Sequence, residues 1–355
     1  MLISQTPTGV IARYAEFLPI GPATPRLTLH EGATPLIPAP RLAAWVGVSE
    51  LFLKFEGLNP TGSFKDRGMV VAVAKALEAG GQTILCASTG NTAASAAAYA
   101  ARAGLNAVVL LPRGKVAPGK IAQAVVYGAQ VVSVQTNFDG ALEVARALSA
   151  DYGAALVNSV NPHRIAGQTT SAFEIVDELG DAPDVLTLPV GNGGNVTAYW
   201  QGFRTYHSVG RSRRTPQLIG VQAAGAAPLV EGHAIENPET IASAIRIGRP
   251  ATWEPAIAAT HDSGGHLRAV TDTEILNAYR EVAGKEGIFC EPASAAGVAG
   301  LRAAVLEGAV RRDQQCVCVL TGNGLKDPEH ALTPGFHMLE VSADPIEIAR
   351  ALGWA

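Results

Sequence analysis

Charge is scarce in this chain: 16% of its 355 residues are Asp, Glu, Lys or Arg, and the formal net charge is −4. No broad basic face for nucleic acid is implied. The one basic cluster, Arg211, Arg213 and Arg214, precedes a strand-like run and reads as a solvated loop. Cysteine is rare too, and Cys86, Cys290, Cys316 and Cys318 form no C-x-x-C pair. Buried reduced thiols are favoured over a metal site or a disulfide, and a reducing cytoplasm fits. Cys316 and Cys318 alternate along a strand and would share one face. No stretch reaches the length of a membrane span without a charge or a Gly/Pro break, so no membrane partner is expected. Residues 1–22 have no basic region followed by a continuous apolar run, so no signal peptide is read there. H-E-x-x-H and His–carboxylate spacings are missing, so no metal is expected. No nucleophile elbow supports Ser-His-Asp hydrolysis. Repeats of solenoid period and low-complexity tracts are absent as well.

What is present is apolar strand–helix alternation. The chain is 48% hydrophobic, which suits a large buried core, and its length allows about two domains of roughly 150 residues each. Strands are expected at 51–56, 83–87, 107–111, 131–134, 155–158, 185–190, 217–221 and 316–320. Helices are expected at 41–44, from Lys65 to about 77, and at 91–103, 119–127, 138–152, 165–179, 196–206, 272–286 and 293–306. Residues 31–36 read as a turn, and 225–265 as irregular. Such alternation means a parallel sheet covered on both faces.

One lysine organises the chain. Lys65 sits in Asn59-Pro60-Thr61-Gly62-Ser63-Phe64-Lys65-Asp66-Arg67-Gly68. Pro60 and Gly62 make a turn, Ser63 can cap a helix, and Asp66 completes a capping-box spacing. Lys65 then lies in the first helical turn, where the positive end of the helix dipole disfavours an ammonium. A lysine that is neutral more often is a better nucleophile and suits Schiff-base chemistry. The alternative is an exposed lysine at a helix start.

Ligands of open α/β sheets bind at the carboxyl ends of strands, and four loops qualify. Ser88, Thr89, Gly90, Asn91 and Thr92 open a helix, so their backbone amides and hydroxyls suit a carboxylate, or they simply cap the helix. Gly191, Asn192, Gly193, Gly194 and Asn195 let amides converge on a phosphate, or form a tight loop. They make no dinucleotide fingerprint, because Val196 stands where the third glycine would fall, and the lysine of a P-loop is missing. Thr321 would point a hydroxyl into the crevice from a third loop. Asn158, Ser159 and Arg164 offer amide, hydroxyl and guanidinium groups to an anion, or a surface arginine at a helix start. Taken together, a reactive lysine, a phosphate cradle and a hydroxyl-bearing loop suggest pyridoxal 5'-phosphate. Lys65 would form the Schiff base, the residues at 191–195 would hold the phosphate, and Thr321 would face the pyridine nitrogen.

On these residues the chain resembles the fold-type II pyridoxal-phosphate enzymes, relatives of the tryptophan synthase β subunit. Within them it is most similar to the compact, bacterial-type threonine synthases. The resemblance runs from Glu31-Gly32-Ala33-Thr34-Pro35-Leu36 to Leu320-Thr321-Gly322-Asn323-Gly324-Leu325-Lys326-Asp327. It implies two open, mostly parallel twisted sheets with helices on both faces. Residues 58–157 would form a small α/β domain, and 1–57 with 158–355 a large one, with the cofactor in the crevice between them. The implied reaction turns O-phospho-L-homoserine and water into L-threonine and phosphate, by γ-elimination and then β-addition of water. This is carbon–oxygen lyase chemistry and the last step of threonine biosynthesis. By the same resemblance, Lys65 would also shuttle protons and Asn91 would bond the cofactor's phenolic oxygen. Ser88, Thr89, Asn91 and Thr92 would hold the substrate carboxylate. Thr92, Asn158, Ser159 and Arg164 would meet its phosphate. Some relatives have alanine where Gly193 stands, a difference expected not to matter for phosphate binding. A cytoplasmic homodimer is expected, and the lack of a long N-terminal extension argues against the effector-regulated plant style. A serine or threonine dehydratase of the same fold is the main alternative; it explains Lys65 but accounts less well for Asn158, Ser159 and Arg164. A cofactor-carrying or nucleotide-binding protein without catalysis is the alternative from another class.

Overall fold

The computed structural model describes residues 8–354 apart from 89, 114–117, 137 and 333–337. Among the described residues the ten strands are β1 (Leu36–Pro38), β2 (Glu50–Phe55), β3 (Thr83–Ala87), β4 (Asn106–Pro112), β5 (Gln130–Val134), β6 (Ala155–Leu156), β7 (Val185–Pro189), β8 (Gln217–Ala223), β9 (His266–Val270) and β10 (Gln315–Leu320). The helices of the first half are α1 (Val10–Arg13), α2 (Pro40–Val46), α3 (Lys65–Glu78), α4 (Asn91–Ala103), α5 (Pro118–Val126) and α6 (Phe138–Tyr152). Those of the second half are α7 (Pro162–Gln168), α8 (Thr170–Leu179), α9 (Gly194–Ser208), α10 (Pro228–Glu231), α11 (Trp253–Asp262), α12 (Asp272–Glu286), α13 (Pro292–Leu306) and α14 (Pro345–Ala351).

The strands form two sheets. A six-stranded sheet runs β1-β2-β10-β7-β8-β9, and a four-stranded sheet runs β5-β4-β3-β6. Every pairing is parallel except β1 with β2. Both faces of the large sheet are covered, as its apolar strands require. Val317 and Val319 of β10 pack with Phe173, Tyr199 and Phe203 on one face. Cys316, Cys318 and Leu320 pack with Val298 and Leu301 on the other. Cys316 and Cys318 thus share a face, as alternation predicts. All four thiols are buried and free, and burial pushes those of Cys86, Cys290 and Cys318 up to about 12.

Some elements differ from the sequence expectation. The helix expected over 165–179 is two, α7 and α8, meeting at Thr169. The hydroxyls of Thr169 and Thr170 donate to the carbonyls of Ala166 and Gly167, at 2.6 and 2.7 Å. Such back-bonding bends helices. Residues 157 and 158 fall outside β6, which pairs with β3 only at Ala155 and Leu156. The region 225–265 is less irregular than its Gly and Pro content suggested, since it contains α11. Strands β1 and β9 close the two edges of the large sheet. β1 is only three residues long, and β9 carries His266 and Arg268 and is mostly half-buried.

Helices α3 and α7 lie unusually close. A Cβ on Gly68 would meet the Arg164 carbonyl oxygen at 2.5 Å, and one on Gly167 would meet that of Arg67 at 2.1 Å. Only glycine permits this backbone approach. It brings Arg164 beneath the start of the helix that carries Lys65.

Candidate active site

Lys65 is the first residue of α3, and of the capping box expected before it only one long bond forms, from the Lys65 N–H to the Ser63 hydroxyl at 3.4 Å. Phe64 occupies the cap position and makes no side-chain cap bond. Asp66 turns away instead: its carboxylate accepts from the Thr61 N–H at 2.7 Å, the Thr61 hydroxyl at 2.6 Å and the Ser95 hydroxyl at 2.6 Å. These bonds tie the turn before α3 to α4. Arg67 points into a buried ion cluster, where it donates to Glu56 at 2.6 Å and to Glu174 at 2.6 Å. Lys54 also reaches Glu174, at 2.8 Å. The turn is further laced to the loop after β10. The Phe64 N–H donates to the Thr321 carbonyl at 3.1 Å, and the Asn323 N–H to that of Gly62 at 2.9 Å.

Burial and, second, the nearby Arg164 charge push the Lys65 amine down from 10.5 to about 7, with Glu291 opposing them. The direction is the one expected from the sequence, but the helix start is not its main cause. Desolvation is the larger cause. A lysine so placed is neutral for much of the time near pH 7 and is a competent nucleophile and base. Its Nζ lies 4.3 Å from the centre of the Phe64 ring.

Five strand ends deliver side chains to one crevice of about 1820 Å³. Lys65 follows β2. Ser88, Asn91 and Thr92 follow β3, Ser159 follows β6, and Thr321 follows β10; all of them line the crevice. Gly191, Asn192, Gly193, Gly194 and Asn195 follow β7 and line it as well. Thr89 lies outside the described residues. Other polar residues on the wall, Gln168 and Glu291 among them, were not singled out from the sequence. Neither stands in a loop that follows a strand of the core, and no local pattern marks them. Among the described residues no group of three His, Cys, Asp or Glu could hold a metal ion.

The loop after β7 ends in the first turn of α9, two residues earlier than expected. The N–H groups of Gly194, Asn195 and Val196 have no carbonyl four residues back within the helix, so they are available to an anion. Asn195 is buried, and neither its amide oxygen nor its amide nitrogen has a protein partner. Gly193 adopts φ +83°, and a Cβ there would sit 2.7 Å from the Thr252 carbonyl oxygen. In this chain an alanine at 193 therefore strains the loop.

Arg164 and Asn158 lie behind the wall. Arg164 is fully buried; Nη1 donates to the Val157 carbonyl at 3.1 Å, while Nε and Nη2 have no partner. Burial pushes it down to about 10. Asn158 bonds both backbone groups of Ala87, at 3.0 and 2.9 Å, and so braces the end of β3.

A lysine held near neutrality, a helix start with buried unpartnered amide atoms, and hydroxyls at two more strand ends form a set that fits a small phosphate-bearing aldehyde cofactor. Comparison with known proteins agrees. The profile of pyridoxal-phosphate dependent enzymes matches residues 27–322. The chain belongs to this family. It is similar to the threonine synthase of Synechocystis sp. PCC 6803, with 54% identity over 98% of this chain and 91% of that protein. It is similar to the threonine synthase of Mycobacterium tuberculosis H37Rv, with 56% identity over 98% of this chain and 96% of that protein. Among solved structures, the threonine deaminase of T.th. is 30% identical, with a TM-score of 0.67 over 86% of this chain and 94% of that one. This pyridoxal-phosphate enzyme has the fold-type II architecture, and the unpartnered Asn195 amide at the α9 start suits the cofactor's phosphate.

Proposed function

We propose that this enzyme is a threonine synthase, converting O-phospho-L-homoserine and water to L-threonine and phosphate. The observation that carries the reading is the convergence of Lys65, the 191–195 loop, Asn91 and Thr321 on one crevice, in a chain whose curated relatives at 54–56% identity are threonine synthases. Bound pyridoxal phosphate supplies the electron sink for loss of a substrate proton. Lys65 holds it covalently, and the Lys65 amine, neutral for much of the time near pH 7, takes and returns substrate protons. The N–H groups at the start of α9, with Asn195, hold the cofactor phosphate. Asn91 meets its phenolic oxygen and Thr321 its ring nitrogen. Ser88, Thr89, Asn91 and Thr92 bind the substrate carboxylate. Thr92, Asn158, Ser159 and Arg164 gather the substrate phosphate. The two free guanidinium nitrogens of Arg164 support that last role, since a buried donor without an acceptor favours an incoming anion. Residues 58–157 form the smaller domain, and 1–57 joins 158–355 through the β2–β10 pairing. In the same reading the enzyme is a cytoplasmic homodimer.

The test is to supply pyridoxal phosphate and O-phosphohomoserine and measure threonine and inorganic phosphate together. Equal release supports the reading. A borohydride-sensitive yellow protein that releases neither would point to a serine or threonine dehydratase. Arg164→Leu separates the two: it should abolish phosphohomoserine turnover and spare dehydration.

A further inference from the structure

Glu291 is 3% exposed and lies on the crevice wall just before α13. Its two carboxyl oxygens serve two different residues. Oε2 accepts from Asn91 Nδ2 at 3.2 Å, and Oε1 accepts from Thr321 Oγ1 at 3.4 Å. The backbone fixes it further, because the Glu291 N–H donates to the Gly322 carbonyl at 3.0 Å. A Cβ on Gly322 would lie 2.5 Å from Oε1, so the loop after β10 leaves room for the carboxyl only because it carries glycine there. Thr321 is also held by Ser294, at 3.0 Å between the hydroxyl oxygens.

The cofactor explains why one carboxyl should touch both residues. On pyridoxal phosphate the ring nitrogen and the phenolic oxygen flank a single ring carbon. The two groups that meet them must approach the same edge, and a side chain between those groups faces that edge. We infer that Glu291 is a positioning residue that aims the Asn91 amide at this ring edge, an inference that rests on the role given above to Asn91. An amide nitrogen has two hydrogens. When Glu291 takes one from Asn91, the amide cannot flip without facing its oxygen to the carboxyl, and the other hydrogen stays free for the phenolic oxygen. Burial raises the Glu291 pKa and the Asn91 bond opposes that rise, but in either protonation state a carboxyl oxygen is there to accept from Asn91.

The experiment reads the visible absorption of the holoenzyme against pH, in wild type, Glu291→Leu, Glu291→Gln, Asn91→Ala and the Asn91→Ala/Glu291→Leu double variant. The nitrogen joining Lys65 to the cofactor shares its proton with the phenolic oxygen. When that proton leaves, the oxygen carries its negative charge alone, so a bond from Asn91 favours the deprotonated form. Loss of the orienting carboxyl should therefore raise the midpoint of that proton's loss by about one pH unit, the size of one charge-assisted bond. Removing a negative charge near the site would by itself lower the midpoint, so a rise reports the aim of Asn91. Glu291→Gln can still accept from one partner and should fall in between; it carries the test alone if the leucine variant does not accumulate. In the Asn91→Ala background Glu291→Leu should add no further rise, because Glu291 acts through Asn91. Midpoints equal to or below wild type in both Glu291 variants overturn the inference, as does a full additional rise in the double variant. If wild type itself develops no visible band and borohydride fixes nothing on Lys65, the cofactor reading falls first and takes this inference with it.

Discussion

Replacing Lys65 by methionine should stabilise the cofactor-free protein near neutral pH. The amine is pushed down from 10.5 to about 7, chiefly by burial, while in the unfolded chain it keeps its ordinary value. Between about pH 7 and 10.5 the unfolded state therefore binds more protons, and stability rises with pH across that window. Below it both states are protonated and the whole penalty is felt. The fall from 10.5 to about 7 corresponds to about 5 kcal/mol at about 1.4 kcal/mol per unit. Lys65 is partly open to the crevice, and water there screens it, so we take about half, ~2 kcal/mol. Methionine keeps the length of the side chain and removes the charge. The assay is urea unfolding of both proteins stripped of cofactor, since bound cofactor would stabilise the wild type by mass action. Near pH 7 the variant should lead by about 2 kcal/mol, and near pH 10 the gap should be almost closed. A gap that does not change with pH would refute the reasoning, because only titration of Lys65 makes it close.

Three further outcomes follow from the same geometry. Arg67→Met leaves the buried carboxylates of Glu56 and Glu174 without their shared partner and should cost about 3–5 kcal/mol in thermal or urea unfolding; a loss under about 1 kcal/mol would count against the cluster. Gly193→Ala forces a side chain into φ +83° and against the Thr252 carbonyl; it should weaken cofactor binding about tenfold in a fluorescence titration, and unchanged affinity would show that the loop relaxes freely. Arg164→Leu removes the positive charge that helps push Lys65 down. Cofactor capture by Lys65 should then need a higher pH, and capture with the wild-type pH profile would contradict that coupling.

Much of this was legible in the sequence, and where it was, local signals carried it. Helices α4, α6 and α12 fall on their expected residues. In α4 and α12 the stops are glycines in the left-handed region, Gly104 and Gly287. α12 also starts at a capping box between Thr271 and Glu274. The loops at Lys65, Asn91, Gly191 and Thr321 were legible because strand ends in open α/β sheets are where ligands sit. The rest depends on contacts distant in sequence. Nothing near Glu291 says that it will face Asn91, two hundred residues away. Nothing near Asp66 says that it will abandon the cap for Thr61 and Ser95. The edge strands β1 and β9 are held by partners rather than by their own pattern.

The weakly capped start of α3 then makes physical sense. Successive residues of a helix point about 100° apart, so Lys65, Asp66 and Arg67 face three directions. Lys65 faces the crevice. Asp66 is bonded to the preceding turn and to α4, the helix that begins at Asn91. Arg67 uses Nε, Nη1 and Nη2 on Glu56, Glu174, Thr34 and Thr170, which reach it from the end of β2, from α8 and from the N-terminal segment. A capping side chain fixes only the backbone at its own helix end. These two buried charged groups instead fix the helix start relative to five other parts of the chain, which a residue that must meet a cofactor at a set distance requires. The guanidinium suits this task because its donors lie in a rigid plane, and a lysine would offer its three donors from a single point.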